Sequence, residues 1–268
     1  MQIMINERTI EVAEETTLWA LRAHYKPDAD LLIVNGFPVQ ADQPLADGDK
    51  VALIRRGEVP PPEEMEALLL ARHTPGVHAR IKGGTVGIAG CGGLGSAVAV
   101  ALARIGVGRL LLADFDLVEP SNLNRQQYFV DQIGLAKVDA LKANLARINP
   151  FVKVATYCGR LDRGNIPEVF AMVDLLIEAF DGADQKALLV ESWRQNFPGK
   201  PLIAASGLAG FGPANTIVTR KVGRNFWMVG DGESGAGPGQ GLMAPRVGVA
   251  AHHQANAALR LLLGEEPE

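Results

Sequence analysis

The chain has 268 residues, with 26 Lys and Arg against 30 Asp and Glu, a net charge of −4, and 47% apolar and 21% charged side chains; this is a globular balance, with room for one large domain or a small one beside a medium one. The acidic excess argues against nucleic acid as a partner, no apolar run is long enough to span a bilayer, and Met1-Gln2-Ile3-Met4-Ile5-Asn6-Glu7 lacks the basic start and apolar core of an export signal. Two cysteines, Cys91 and Cys158, exclude a disulfide framework and a four-cysteine metal site, so no zinc and a reducing, cytoplasmic compartment are expected.

Residues 1–57 read as a small mixed sheet crossed by one helix. Stretches 2–6 and 8–12 alternate on either side of Asn6-Glu7, as a hairpin does. Thr16 or Thr17 caps a short helix over 18–21. Leu31–Val34 is an apolar strand ending at Asn35-Gly36, and Lys50–Ile54 closes a ββαββ order. So small a unit buries little and leans on a neighbour. Glu58-Val59-Pro60-Pro61-Pro62 is a stiff linker. Residues 63–72 form a helix with a Leu68-Leu69-Leu70 face, ended by His73-Thr74-Pro75-Gly76.

From Thr85 the pattern alternates between strand and helix. A buried strand at 86–89 runs into the glycine turn Gly90-Cys91-Gly92-Gly93-Leu94-Gly95. An alanine-rich helix at 96–105 follows, then a strand at 109–113 and a helix at 133–148. Further strands are expected at 151–157, 173–178 and 201–205. Such alternation predicts a parallel sheet with helices on both faces. The glycine-rich stretch 230–241 reads as a mobile loop, and 247–263 as a closing helix.

A glycine turn between a strand and a helix lets backbone approach phosphate, and the helix N-terminus favours an anion. Asp114 and Asp116 end the next strand about twenty residues on, where a carboxylate meets a ribose. The turn alone does not separate NAD from ATP, nor either from a ligand-free turn. The following segment carries Asn122 and Arg125, and Lys137 comes after Gly134 at the start of a helix. Hydride transfer has no need of an Arg and a Lys at the pyrophosphate. Cleavage of a triphosphate does, because charge builds on the phosphoryl oxygens in the transition state. Each residue also has an ordinary alternative, Arg125 as a helix cap and Lys137 on a solvated face.

The run Gly90-x-Gly92-Gly93-Leu94-Gly95-Ser96, Asp114-Phe115-Asp116, Ser121-Asn122-Leu123-Asn124-Arg125-Gln126, Gly134-x-x-Lys137 and Ile148-Asn149-Pro150 resembles the ubiquitin-activating-enzyme superfamily. Within it the likeness is to the ThiF and MoeB adenylyltransferases, from about residue 63 to the C-terminus. The resemblance implies a Rossmann-like, mostly parallel sheet. It also implies a homodimer that binds ATP and Mg²⁺ and adenylates the C-terminal carboxylate of a small β-grasp carrier protein ending in Gly-Gly. Carried onto this chain, Gly90, Gly92, Gly93 and Gly95 form the nucleotide turn, and Asp114, with Asp116 beside it, holds the ribose. Asn122, Arg125 and Lys137 contact phosphates, and Asp181 binds Mg²⁺. Asp181 has a rival role as N-cap of a helix from Ala183. An arginine from the partner subunit is matched by Arg72, whose rival role is to complement a helix C-terminus.

Two departures from the family stand out. The paired Cys-x-x-Cys motifs of zinc-bearing members are missing, and 230–241 lacks the cysteine that many relatives use for sulfur transfer. Cys91 lies in the phosphate turn, and Cys158, after a strand, is expected to be buried. Residues 1–57 resemble ThiS, the β-grasp sulfur carrier of thiamin synthesis, through Met1-Gln2-Ile3, Asn6, Thr17-Leu18, Val34-Asn35-Gly36 and Asp47-Gly48-Asp49-Lys50-Val51. A carrier needs a free Gly-Gly end, whereas Arg55-Arg56-Gly57-Glu58 runs on into the linker. The expected substrate is therefore a separate ThiS-type carrier, in thiamin thiazole biosynthesis. Adenylation of a small-molecule carboxylate, a non-catalytic carrier-binding scaffold and NAD-dependent redox chemistry are the alternatives. Adjacent His252 and His253 point to different helix faces and form no chelating pair.

Overall fold

The computed structural model describes residues 1–267. The chain forms two compact units that divide between His73 and Thr74.

The first unit contains β1 (Gln2–Ile5), β2 (Arg8–Glu11), α1 (Leu18–Tyr25), β3 (Leu31–Val34), β4 (Phe37–Pro38), β5 (Lys50–Ile54) and α2 (Pro62–Leu70). Asn6 and Glu7 turn the first hairpin with φ of 44° and 65°, the left-handed pair that a two-residue hairpin loop requires. The sheet order is β2-β1-β5-β3-β4, with β1 and β5 parallel at its centre and the other pairs antiparallel. Alternation along β1, β3 and β5 buries Ile3, Ile5, Leu32, Val34, Val51 and Leu53 against Leu18 and Leu21 of α1. Thr17 caps that helix, its Oγ1 accepting from the Ala20 N–H at 3.3 Å. The expected ββαββ order gains β4, which is too short to show a period and depends on the Asn35-Gly36 turn (φ 51° and 87°).

The compact division falls after α2, not in the proline-rich break at 58–62. The Asn6 amide explains why. Its Oδ1 accepts from Leu53 N–H at 2.9 Å, and its Nδ2 donates to Leu53 O at 3.2 Å and to Glu64 Oε1 of α2 at 2.7 Å. The helix is thereby tied to the small sheet.

The second unit contains α3 (Val77–Ile81), β6 (Thr85–Ala89), α4 (Gly93–Arg104), β7 (Arg109–Asp114), α5 (Lys137–Ile148), β8 (Lys153–Cys158), α6 (Ile166–Val169) and β9 (Leu175–Glu178). It continues through α7 (Ala183–Asn196), β10 (Leu202–Ala205), β11 (Val218–Gly223), β12 (Phe226–Gly230) and α8 (Ala244–Leu262). Seven strands run in the order β11-β12-β10-β9-β6-β7-β8, parallel throughout except for the antiparallel β11–β12 hairpin. The central strands are buried on both faces and are near-continuously apolar, as a covered parallel sheet demands. Helices α4, α5 and α8 cover one face through Val98, Leu102, Leu141, Leu145 and the alanines of α8. Helices α6 and α7 cover the other through Phe170, Leu189 and Trp193. The second unit has the expected Rossmann-like arrangement, and the first the expected small β-grasp sheet.

Three local expectations change. The helix expected from 133 begins at Lys137, because Gly134 takes φ 88°, its N–H donates to Val118 O, and Val118 N–H donates to Leu135 O, which holds the segment outside the helix. The hairpin of β11 and β12 lies where the periodic signal had faded. The stretch 230–241, expected to be mobile, is anchored: Leu208 and Ala209 N–H both donate to Ser234 O, and Gly210 N–H donates to Gly241 O. Among the described residues no helix is long and apolar enough to cross a membrane.

Candidate functional site

In the larger sheet the chain leaves β6 toward β7 and β8 on one side and returns to β9, β10 and β12 on the other. The reversal lies between β6 and β9, and in a doubly wound sheet the crevice outside the carboxyl ends at this point is where ligands bind. A cavity of about 660 Å³ occupies that place. Its walls come from the residues that follow six strands. These include Gly90 and Gly92 to Leu94 after β6, Asp114 to Asp116 after β7, Gly159 after β8, Ala179 to Asp181 after β9, Ser206 to Ala209 after β10, and Ser234 to Ala236 beyond β12.

The glycine turn is shaped by close packing. Gly90 has φ 95°, and a Cβ there would stand 2.8 Å from Ala179 O; a Cβ on Gly95 would stand 1.8 Å from Gly90 O. Only glycine allows both approaches. Gly90, Gly92 and Gly93 line the cavity, whereas Gly95 lies behind them and closes the turn. Helix α4 starts here with Gly92 as N-cap, no capping side chain and no acidic residue in its first turn. Its N-terminal N–H groups and dipole therefore remain available to an anion.

The carboxylate of Asp114 accepts from Cys91 N–H at 2.6 Å and from Asp116 N–H at 2.9 Å, which joins the ends of β6 and β7. Lys137 is 5% exposed, and its Nζ donates to Asp116 Oδ2 at 2.8 Å. The solvated-face alternative for Lys137 is thereby excluded. Asp116 is the partner of Lys137, a role the ribose assignment did not contain. Arg125 Nη1 donates to Ser121 O at 3.2 Å and Asn124 Oδ1 at 2.8 Å, while its Nε is buried without a hydrogen-bond partner. Gln126 Oε1 is similarly orphaned, and both side chains line the cavity. Unsatisfied buried polar atoms of this kind are uncommon and call for a ligand or water.

Asp181 is exposed at the cavity wall and has no hydrogen bond or ion pair among the described residues. Its rival role falls away, because Gly182 is the N-cap of α7 and no side chain caps that helix. Asn122 is not in the wall: it is buried, with Oδ1 accepting from Glu119 N–H at 3.0 Å, and it braces the turn that carries Arg125. Arg72 is exposed just beyond α2 in the first unit. Cys158, expected to be buried, is exposed because it ends the edge strand β8. Cys91 is buried, and burial first, then the Asp114 carboxylate, pushes its thiol well above the ordinary range.

Beside Lys137–Asp116, two buried ion pairs around the cavity and its loops were not in the sequence reading. Glu178, fully buried at the end of β9, faces Lys186 of α7, which lines the cavity. Burial raises the Glu178 carboxyl, opposed by Lys186 and by the Phe180 and Ala205 N–H groups. Arg246, which the sequence left without a partner, donates from Nη2 to Asp231 Oδ2 at 2.6 Å and from Nη1 to the carbonyls of Gly212 and Pro213. Burial pushes the Asp231 carboxyl up, but hydrogen bonds from Ser234, Glu233 and Arg246 outweigh it and hold the group well below its ordinary value. No signal in the sequence links these partners, since each pair joins different elements.

The model of the ThiF family matches residues 67–268, and that of the ThiS-like ubiquitin matches residues 1–57. The chain is 32% identical over 191 residues to the adenylyltransferase and sulfurtransferase UBA4 of Eremothecium gossypii, a match covering 69% of this chain and 43% of the relative. It is 36% identical over 140 residues to the SAMP-activating enzyme E1 of Haloferax volcanii, covering 52% of this chain and 51% of the relative. The chain thus spans about half the length of these curated relatives. Among solved structures, E. coli tRNA N6-threonylcarbamoyladenosine dehydratase, TcdA, in complex with AMP, matches with a TM-score of 0.66 at 22% identity, over 73% of this chain and 93% of that one. That likeness is one of fold.

Proposed function

The chain belongs to the ThiF family, and from that premise we propose that it uses ATP to adenylate the C-terminal carboxylate of a separate ThiS-type carrier protein ending in Gly-Gly. One observation carries the reading: a helix N-terminus free of acid, Arg125, Lys137, Asp114 and Asp181 converge on one cavity at the carboxyl edge of the sheet. A scaffold needs no such arrangement, and a nicotinamide site leaves Arg125 and Lys137 without a task.

In the reaction a carboxylate oxygen attacks the α-phosphorus of ATP, the bond to the bridging oxygen breaks, and pyrophosphate leaves with the electron pair. The carboxylate is already ionised at neutral pH, so no general base is needed. Alignment and charge stabilisation then do the catalysis. The glycine turn and α4 N–H groups receive phosphate oxygens, Asp114 the ribose hydroxyls, and Arg125 and Lys137 the charge that develops on the leaving group. Asp116 keeps Lys137 in place through one donor, which leaves two for phosphate. Asp181 suits Mg²⁺, which is usually held by one or two carboxylates together with phosphate oxygens and water. The ion would supply charge neutralisation at the phosphates. In a homodimer, Arg72 of one protomer would reach the phosphates of the other.

The ThiS-like first unit supports a carrier as substrate and thiamin thiazole synthesis as the setting. It is not itself the substrate, because Gly57 continues into Glu58 and α2. We assign it a structural or docking role. Removal of residues 1–57 is expected to weaken carrier capture, measured by titration calorimetry, and to leave ATP binding intact. Unchanged carrier affinity and assembly would refute that role.

ATP–pyrophosphate exchange, with and without a Gly-Gly-terminated ThiS, tests the main proposal. Exchange is expected only with the carrier present. Exchange supported by a small carboxylate alone would transfer the reading to that substrate class, and failure to bind ATP would leave a scaffold.

A further inference from the structure

Glu178 and Lys186 lie outside every role assigned above, yet Lys186 is part of the cavity wall and Glu178 is buried directly behind it. Lys186 Nζ donates to Glu178 Oε1 and Oε2, each at 3.0 Å, and to Ala205 O at 3.0 Å. Glu178 in turn accepts from Phe180 N–H at 2.7 Å through Oε1 and from Ala205 N–H at 3.3 Å through Oε2. The Glu178 carbonyl accepts from Gln254 Nε2 of α8 at 3.0 Å. One ammonium and one carboxylate thus clamp the ends of β9 and β10 and fold the chain over Phe180 into the turn that presents Asp181.

The same turn abuts the phosphate loop. Ala179 N–H donates to Ala89 O at 2.8 Å, and a Cβ on Gly90 would stand 2.8 Å from Ala179 O. A shift of the β9 end would move both Asp181 and the glycine turn. An ammonium has three donors, and all three of Lys186 are engaged by Glu178 and Ala205. Although it lines the cavity, Lys186 therefore has no donor to give a phosphate without releasing the clamp.

We propose that Glu178 and Lys186 are a positioning pair that aims Asp181 at the metal-bearing side of a nucleotide; the inference rests on the adenylylation reading of the cavity. Neither residue touches the reacting atoms. The pair acts on the metal carboxylate from behind, as supporting groups do for metal ligands.

Removing one partner alone would strand a buried charge and risk the fold. The informative variant is therefore Glu178→Gln with Lys186→Met in the full-length protein, which leaves no lone charge. The probe is Mn²⁺ with ATP, followed by the electron paramagnetic resonance of free Mn²⁺, beside ATP binding measured in EDTA. The double variant is expected to keep metal-free ATP binding and to lose Mn²⁺ affinity about tenfold or more, the usual scale for support of a metal ligand. Asp181→Asn is expected to lose as much in the wild-type background and almost nothing further in the double variant, since both changes remove one function. Lys186→Arg, which keeps a cation able to grip the carboxylate, is expected to retain most of the Mn²⁺ affinity and so reads the pair even where the double variant folds poorly. Wild-type Mn²⁺ affinity in the double variant, losses that add with Asp181→Asn, or a Lys186→Arg affinity as low as that of Asp181→Asn would each overturn the positioning role while leaving the nucleotide site standing. No Mn²⁺–ATP binding by the wild type, or none of it dependent on Asp181, would overturn the reading of the cavity and the pair with it.

Discussion

Arg125 and Lys137 differ in how firmly the fold holds them, and this shapes what their loss should do. Lys137 is buried on the Asp116 carboxylate, whereas Arg125 is held by a carbonyl and an amide oxygen and keeps its Nε unpaired. Replacing either by Ala is expected to lower exchange turnover by about 10²- to 10³-fold, the scale for removing one charge-stabilising donor. Lys137→Ala also leaves Asp116, which is itself half-exposed, without its partner, so the folded state should lose little. Melting temperatures near that of the wild type, beside collapsed turnover, would be the signature of a catalytic role. Near-normal turnover in both variants would refute it. That Arg125, Lys137, Asp114 and Asp181 would meet at one cavity was legible because their spacing follows the turn and strand ends of a doubly wound sheet. Asn122 shows the limit of that reading. The motif pointed it at a phosphate, whereas its Oδ1 accepts from Glu119 N–H, its Nδ2 faces Ser121 Oγ, and it is not part of the cavity wall.

At the scale of elements, the carboxyl-edge loops are held by buried polar anchors. Asp231 gathers Glu233 N–H, the N–H and hydroxyl of Ser234, and Arg246 of α8. Ser234 O then receives two N–H groups from the loop beyond β10. The wall from Ser234 to Ala236 therefore depends on one carboxylate. Its folded value lies below the ordinary 3.8, so it stabilises the protein fully above that pH, and the contribution is lost as pH falls toward the folded value. Asp231→Asn is expected to be less stable than the wild type by about 2 kcal/mol near neutrality, as for a hydrogen bond to a charged group. The gap should narrow below pH 3.8. Thermal melts of both proteins across pH 3 to 7 check this, and a gap independent of pH would show that the carboxylate charge is not the anchor. The glycine content of 230–241 suggested mobility. Composition reports the freedom of an isolated backbone and carries no information about an anchor supplied from α8.

For the whole molecule, the decisive question is whether the cavity is complete within one chain. Arg72 belongs to the first unit and is exposed, and in the proposed homodimer it serves the partner's site. Arg72→Ala and Lys137→Ala would each be inactive alone. An equal mixture, allowed to exchange subunits, should regain about a quarter of wild-type turnover, because half of the dimers are mixed and each of these has one intact site of two. The exchange assay on the mixture, with size measured by light scattering, tests this. No recovery in a mixture shown to exchange would place Arg72 on its own subunit or outside the chemistry.

Strands β6 to β10 with helices α4, α5 and α8, the parallel sheet, the position of the glycine turn and the carboxylate that follows it were readable along the chain. Each depends on contacts a few residues apart, and such contacts leave a period or a spacing behind. The first unit's helix and central strands were readable for the same reason, whereas the two-residue β4 left no period to read. Tertiary structure alone decided that Lys137 is buried against Asp116, that Glu178 is clamped by Lys186, that Asp231 anchors Arg246 and that Cys158 lies open on an edge strand. The three pairs are separated by 21, 8 and 15 residues and join different elements. Charge and burial at such a distance are set by which strand ends meet when the sheet closes, and a linear pattern does not record that.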